Sequence, residues 1–131
     1  MAEPLIAVMN DDTAFLDLMH ELLTGEGYRC FICKESDRVY ATIKERRPDL
    51  VILDIRMGSP EAGWTALEIL RLDPATAHIP VIVCSADTPF LHAKEEALRA
   101  LRCDILEKPF DLDMLLAKIA GVLAASGHGE G

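Results

Sequence analysis

Leu50-Val-Ile-Leu-Asp54-Ile-Arg-Met57 is the stretch that decides the fold. Four apolar residues run into one aspartate without polar alternation, between Pro48-Asp49 and Gly58-Ser59-Pro60. Such a run reads as a central parallel strand buried on both faces. Asp54 falls at its C-terminal end, where an open α/β sheet collects ligands and chemistry because the strands there open into loops. A carboxylate in that place is a candidate nucleophile or metal ligand. A helix cap or turn aspartate is the plainer alternative, and position alone leaves both open.

Outward from this strand the same pattern repeats. Leu5-Ile-Ala-Val-Met9 is an apolar run that ends in the polar cluster Asn10-Asp11-Asp12-Thr13, followed by Phe15, Leu18, Met19 and Leu22 at helical spacing, with Gly25 as the stop. Tyr28 to Cys33 reads as a more polar strand nearer an edge, and Ser36 to Arg47 as a weaker helix ended by Pro48. After Asp54, a loop from Gly58 to Gly63 leads to a third helix marked by Trp64, Leu67 and Leu70. Trp64 reads as core packing, with an exposed partner contact as the alternative. Pro80 to Cys84 is a fourth buried strand delivering Ser85 and Asp87, and Thr88-Pro89 opens a helix carrying Leu91, Leu98 and Leu101. Cys103 to Leu106 is a short fifth strand followed by Glu107-Lys108-Pro109-Phe110. The last helix places Leu112, Leu115, Leu116, Ile119, Val122 and Leu123 on one stripe, with Asp111 as N-cap.

Five strands alternating with five helices imply right-handed crossovers onto both faces of one parallel sheet. The chain of 131 residues fits one domain over 1–125, with 126–131 expected to be a flexible tail. No apolar run approaches the roughly 20 residues of a membrane span, and Met1-Ala-Glu-Pro4 lacks the basic start of a signal peptide. A soluble cytoplasmic protein is expected. The net charge of −9 argues against nucleic acid, and Lys44, Arg46 and Arg47 read as a solvated helix end. Cys30 and Cys33 are spaced like a redox or zinc pair. Residues three apart on a strand point to opposite faces, so inert thiols are expected, which suits a reducing compartment.

Asn10, Asp11, Asp12, Asp54, Ser85 and Lys108 all follow strand C-termini and share one edge of the sheet. This layout resembles the receiver domain of two-component response regulators from Leu5 to Val122. Its marks are the acidic cluster after strand 1, Leu53-Asp54-Ile-Arg-Met57, Ser85-Ala86 and Lys108-Pro109-Phe110. The resemblance implies the flavodoxin-like strand order 2-1-3-4-5, with Asp11 facing Asp54 across the switch point. It implies that Asp54 takes a phosphoryl group from a histidine kinase and holds it as an acyl phosphate. Magnesium would sit on Asp11, Asp54 and the main-chain carbonyl of Arg56, because a phosphate cannot approach clustered carboxylates without a cation. Lys108 would give a charge and Ser85 a hydroxyl to phosphoryl oxygens. Arg56 and Asp87 fall where the family tunes acyl-phosphate lifetime, and Lys108-Pro109 is expected to be a cis peptide by the same resemblance.

The sequence departs from the family at several places. Asn10 stands at the first position of the acidic pair, which weakens magnesium binding unless Asp12 substitutes. Gly58 replaces the usual proline in a loop one residue longer than usual. Ile105 occupies the aromatic switch position, so any signal travels by another route.

The leading reading is therefore a stand-alone phosphoacceptor receiver with magnesium as cofactor. Its partners would be a sensor histidine kinase or histidine phosphotransfer protein and a downstream protein, docked on the fourth helix, fifth strand and last helix. A homodimer stays open. It accepts a phosphoryl group and can lose it again, but is not a turnover enzyme on a small molecule. The alternative is a pseudo-receiver that binds a partner without phosphorylation, favoured by Asn10, the altered loop and Ile105. A haloacid-dehalogenase-type phosphatase would need an aspartate where Arg56 stands, and a flavin phosphate would be repelled by the acidic loop after strand 1.

Overall fold

The structure is a computed structural model, and it describes residues 3–85, 87–107 and 111–125. Along the chain run β1 (Leu5–Met9), α1 (Thr13–Gly25), β2 (Arg29–Cys33), a 3-10 turn (Ser36–Arg38), α2 (Val39–Arg46), β3 (Leu50–Asp54) and α3 (Pro60–Leu72). Then follow β4 (Val81–Ser85), α4 (Thr88–Ala93), α5 (Glu95–Ala100), β5 (Cys103–Glu107) and α6 (Leu112–Ala125). The strands form one sheet in the order β2-β1-β3-β4-β5, every neighbouring pair parallel. That is the doubly wound arrangement the apolar runs imply.

Two cores follow from alternation along the strands. Ala7, Met9, Val51, Leu53, Val81 and Val83 face α2, α3, α4 and α5, which contribute Val39, Ile43, Leu67, Leu70, Leu91 and Leu98. Ile6, Val8, Leu50, Ile52, Ile82 and Cys84 face α1 and α6 through Leu16, Met19, Leu23, Leu115, Ile119 and Leu123. Burying each large side chain of this kind contributes on the order of 2 kcal/mol, so β1, β3 and β4 are the rigid frame on which the strand ends are carried.

The boundaries differ from expectation in two places that matter. The loop expected from Gly58 to Gly63 is shorter, because Ser59 caps α3 by accepting from the Ala62 N–H at 3.1 Å and Pro60 occupies the first helical turn. Gly63 is thus helical, and it is glycine because a Cβ there would collide with the Ile55 carbonyl. The single helix expected after Thr88 is two, broken where Lys94 leaves the helical basin at φ −104 and ψ 6. Both pieces bury the same side, through Leu91 and Leu98, so their combined leucine spacing reads as one helix.

The helix expected over Ser36 to Arg47 is a 3-10 turn followed by α2, and β2 begins at Arg29 rather than Tyr28. Asp111 caps the last helix by accepting from the Met114 N–H at 2.7 Å. Cys30 and Cys33 lie on opposite faces of β2, one packed against the second core and the other within the first. Burial pushes the Cys30 thiol up to about 11, so it is an inert thiol at neutral pH. Trp64 packs on the first core, as expected, and also lines a groove with Glu61, Thr65, Phe90 and Lys94. Among the described residues no helix is long and apolar enough to cross a membrane. Residues 126–131, expected to be a tail, lie outside those described.

Candidate functional site

Register brings the polar strand ends together. Met9 pairs with Leu53, so Asn10 follows beside Asp54 where β1 and β3 end. Asp54 pairs with Cys84, which places Ser85 one residue further along β4, and Ser85 in turn pairs with Glu107. The next residue after Glu107 is Lys108; it and Pro109, with the expected cis peptide, lie outside the described residues.

The loop after β3 ties the acids down. Asp54, half-buried, accepts the Arg56 N–H on Oδ1 at 3.1 Å, and Asp11, exposed, accepts the Gly58 N–H on Oδ2 at 3.2 Å. The two carboxylates are therefore anchored to one short turn. Gly58 adopts φ +75, which glycine tolerates, and a Cβ there would collide with the Ser36 side chain. A proline at 58 would have no N–H to offer Asp11, so the departure from the family at this position changes how Asp11 is held.

The rest of the acidic cluster is organised locally. Asp12 accepts the Phe15 N–H at 3.3 Å as the N-cap of α1, and the Asp12 N–H donates to Asn10 Oδ1 at 2.9 Å. Asn10 is 1% exposed, and its amide nitrogen has no hydrogen-bond partner among the described residues. That orphaned donor is a feature sequence reasoning missed; Asn10 read only as a lost charge.

Across the pocket, Ser85 is buried, and its Oγ accepts the Asp87 N–H at 3.0 Å. Asp87 caps α4 by accepting from the Phe90 N–H at 3.0 Å, and its other oxygen pairs with Arg56 at 3.0 Å. The Arg56 guanidinium also stands 5.5 Å from the Phe90 ring centroid. The two residues expected at lifetime-tuning positions thus bind each other. Ile105 is half-buried on β5 and packs against the first core, so no aromatic ring occupies that position.

Among the described residues no group of three or more His, Cys, Asp and Glu is arranged to hold a metal. What the strand ends assemble is two carboxylates anchored to one turn and a nearby hydroxyl. An oxygen-rich set with few protein charges can hold a hydrated divalent cation, while a strand-end carboxylate can act as a nucleophile.

A family model described as the response regulator receiver domain matches residues 6–120. The transcriptional regulatory protein ZraR of Escherichia coli O157:H7 is 34% identical over 119 residues, covering 91% of this chain and 26% of that protein. The chain thus spans about a quarter of the length of that relative. A CheY-like receiver domain from Methanospirillum hungatei superposes with a TM-score of 0.85 at 23% identity, covering 99% of this chain and all of that one. The receiver domain of the sensor histidine kinase PA1611 from Pseudomonas aeruginosa superposes with a TM-score of 0.79 at 20% identity over 94% of this chain and 99% of its own; that structure has a magnesium ion coordinated in its active site cleft.

Proposed function

Because this chain belongs to the response regulator receiver domain family, we propose that it accepts a phosphoryl group on Asp54 from a phosphohistidine and signals by docking to another protein. An Asp54 carboxylate oxygen attacks phosphorus, the P–N bond breaks, and the departing imidazole nitrogen keeps the electron pair and takes up a proton. The protein's task in such a transfer is positioning and charge neutralisation. The observation that carries this reading is the strand-end Asp54 held by the Arg56 N–H at 3.1 Å, with Asp11 fixed to Gly58 of the same turn.

The donor set fits magnesium, which binds through one or two carboxylates and keeps several waters. Asp11, Asp54 and the Arg56 carbonyl would hold it, with Asp12 the further acid in reach of sequence. Magnesium when bound neutralises the charge that otherwise repels the phosphoryl group. Ser85 and Lys108 serve the phosphoryl oxygens. In the present structure Ser85 Oγ accepts from the Asp87 N–H, which leaves its own O–H to donate to a phosphoryl oxygen.

The phosphoryl donor would be a sensor histidine kinase or a histidine phosphotransfer protein, acting in the cytoplasm. The downstream protein would dock on α4, α5, β5 and α6. A decisive switch, from 1:99 to 99:1, needs the phosphoryl group to favour the active arrangement by about 5.5 kcal/mol. With Ile105 in place of an aromatic ring, the Arg56–Asp87 pair and the cap of α4 are the connection from Asp54 to that face. A pseudo-receiver, binding a partner without phosphorylation, is the second reading, and the neutral Asn10 favours it.

Incubation with magnesium and a small acyl-phosphate donor, followed by intact-mass measurement, separates the two. A single phosphoryl adduct that disappears in Asp54→Ala supports the transfer. No adduct on the wild type, or an undiminished one in Asp54→Ala, overturns it in favour of the pseudo-receiver.

A further inference from the structure

We propose that Asn10 is a positioning residue that makes the pocket respond to the phosphoryl group rather than to the bare cation: its amide nitrogen donates to an anionic oxygen carried on Asp54. This inference rests on Asp54 being the phosphoacceptor. Buried polar groups are nearly always paired, yet Asn10 is 1% exposed with its Nδ2 unpartnered among the described residues. The Asp12 N–H, donating to Oδ1 at 2.9 Å, fixes which end of the amide is oxygen. The NH2 end is therefore held where nothing accepts from it.

Register says what stands beside it. Asn10 follows Met9, and Met9 pairs with Leu53, so Asn10 and Asp54 are neighbours at the ends of β1 and β3. Val8 and Ile52, two residues earlier on each strand, both face α1 and α6. Alternation puts Asn10 and Asp54 on that same face.

The chemistry distinguishes an amide from an acid. An acid at this position adds negative charge and accepts protons from cation-bound water. Asn10 adds no charge, its oxygen already accepts from the Asp12 N–H, and its nitrogen only donates. A bare cation gains no charge from Asn10 and nothing from its NH2, whereas an anionic phosphoryl oxygen satisfies the donor. The cation and the phosphoryl group then bind with stronger mutual dependence than in a site with a full acid pair.

Calorimetric titration of the full chain tests this, first with magnesium chloride alone and then with beryllofluoride, a phosphoryl mimic, at saturating magnesium. Asn10→Leu, of similar size but without a donor, is expected to leave magnesium affinity within twofold and to weaken beryllofluoride about tenfold, the order for one hydrogen bond to a charged acceptor. Asn10→Asp keeps the shape and the acceptor for Asp12. It is expected to tighten magnesium alone several-fold and to shrink the factor by which beryllofluoride tightens magnesium. Unchanged beryllofluoride affinity in Asn10→Leu, or an unshrunk factor in Asn10→Asp, overturns the inference while leaving the phosphoacceptor reading intact. A wild type that binds neither probe overturns both.

Discussion

Arg56 and Asp87 form a 3.0 Å ion pair that joins the turn after β3 to the first turn of α4. Each stands two residues beyond a strand-end site residue, Asp54 and Ser85. Asp87 therefore does three things: it pairs with Arg56, caps α4, and donates its N–H to Ser85 Oγ.

Substitution separates these roles. Asp87→Asn keeps a capping side chain and removes the charge; since the pair is partly exposed, the expected loss is under about 1 kcal/mol and vanishes in 1 M salt. Asp87→Ala also removes the cap, adding about 1 kcal/mol of loss, seen as a melting point lower by about 4 °C. Equal melting points for the two variants would show that the cap contributes nothing.

A second cluster fastens α2 to the end of α3. The Tyr40 hydroxyl donates to Asp73, Lys44 pairs with the same carboxylate at 3.0 Å, and the Ala75 N–H donates to its other oxygen at 2.9 Å. The Tyr40 hydrogen bond, then the Ala75 N–H and Lys44, hold Asp73 down at about 2. Its folded-state value lies below the unfolded one near 3.9. The contribution is therefore fully present above about pH 4 and lost as pH falls toward 2. In Tyr40→Phe, the urea midpoint should fall less steeply than that of the wild type over this window; parallel curves would refute the assignment.

The parallel sheet and the site's place at its strand ends are legible in the chain because Leu5–Met9, Leu50–Asp54 and Val81–Ser85 are continuous apolar runs ending in polar residues; the strand order is legible only through the family resemblance. Periodicity identifies faces, and the face shared by Leu91 and Leu98 hides the break at Lys94 between them. Gly63 reads as a loop residue, since what requires glycine there is the Ile55 carbonyl of another segment. Arg71 is invisible for a similar reason: one cation on an amphipathic helix reads as solvated, and only the assembled loops show what it binds.

Arg71 reaches from α3 to the carbonyls of Leu101 at 2.7 Å, Ala77 at 3.1 Å and Ile79 at 2.6 Å, clamping the segments before β4 and β5. Burial lowers its pKa, yet it remains a cation at any ordinary pH. Losing these three bonds and the longer one to the Arg102 carbonyl at 3.4 Å in Arg71→Met should cost about 3 kcal/mol. Lysine has a single ammonium in place of the fork, so Arg71→Lys should recover less than half of that in chemical denaturation. Full recovery by lysine would mean that charge, not the forked geometry, is what the clamp needs.

Gly63 bears most directly on the site, because the carbonyl it accommodates belongs to Ile55, the residue after Asp54. In Gly63→Ala the new methyl group can be relieved only by moving α3 or the turn that fixes Asp54 and Asp11 through the Arg56 and Gly58 N–H groups. A backbone clash of this kind should cost roughly 2–4 kcal/mol. The displaced turn should also weaken magnesium binding in the folded fraction, whereas Gly121→Ala, in α6 with open space at its Cβ, should be neutral or slightly stabilising. Measuring denaturation and magnesium titration on both variants checks the contrast. A Gly63→Ala protein as stable as Gly121→Ala would show that the close approach of α3 to Ile55 does not hold in solution.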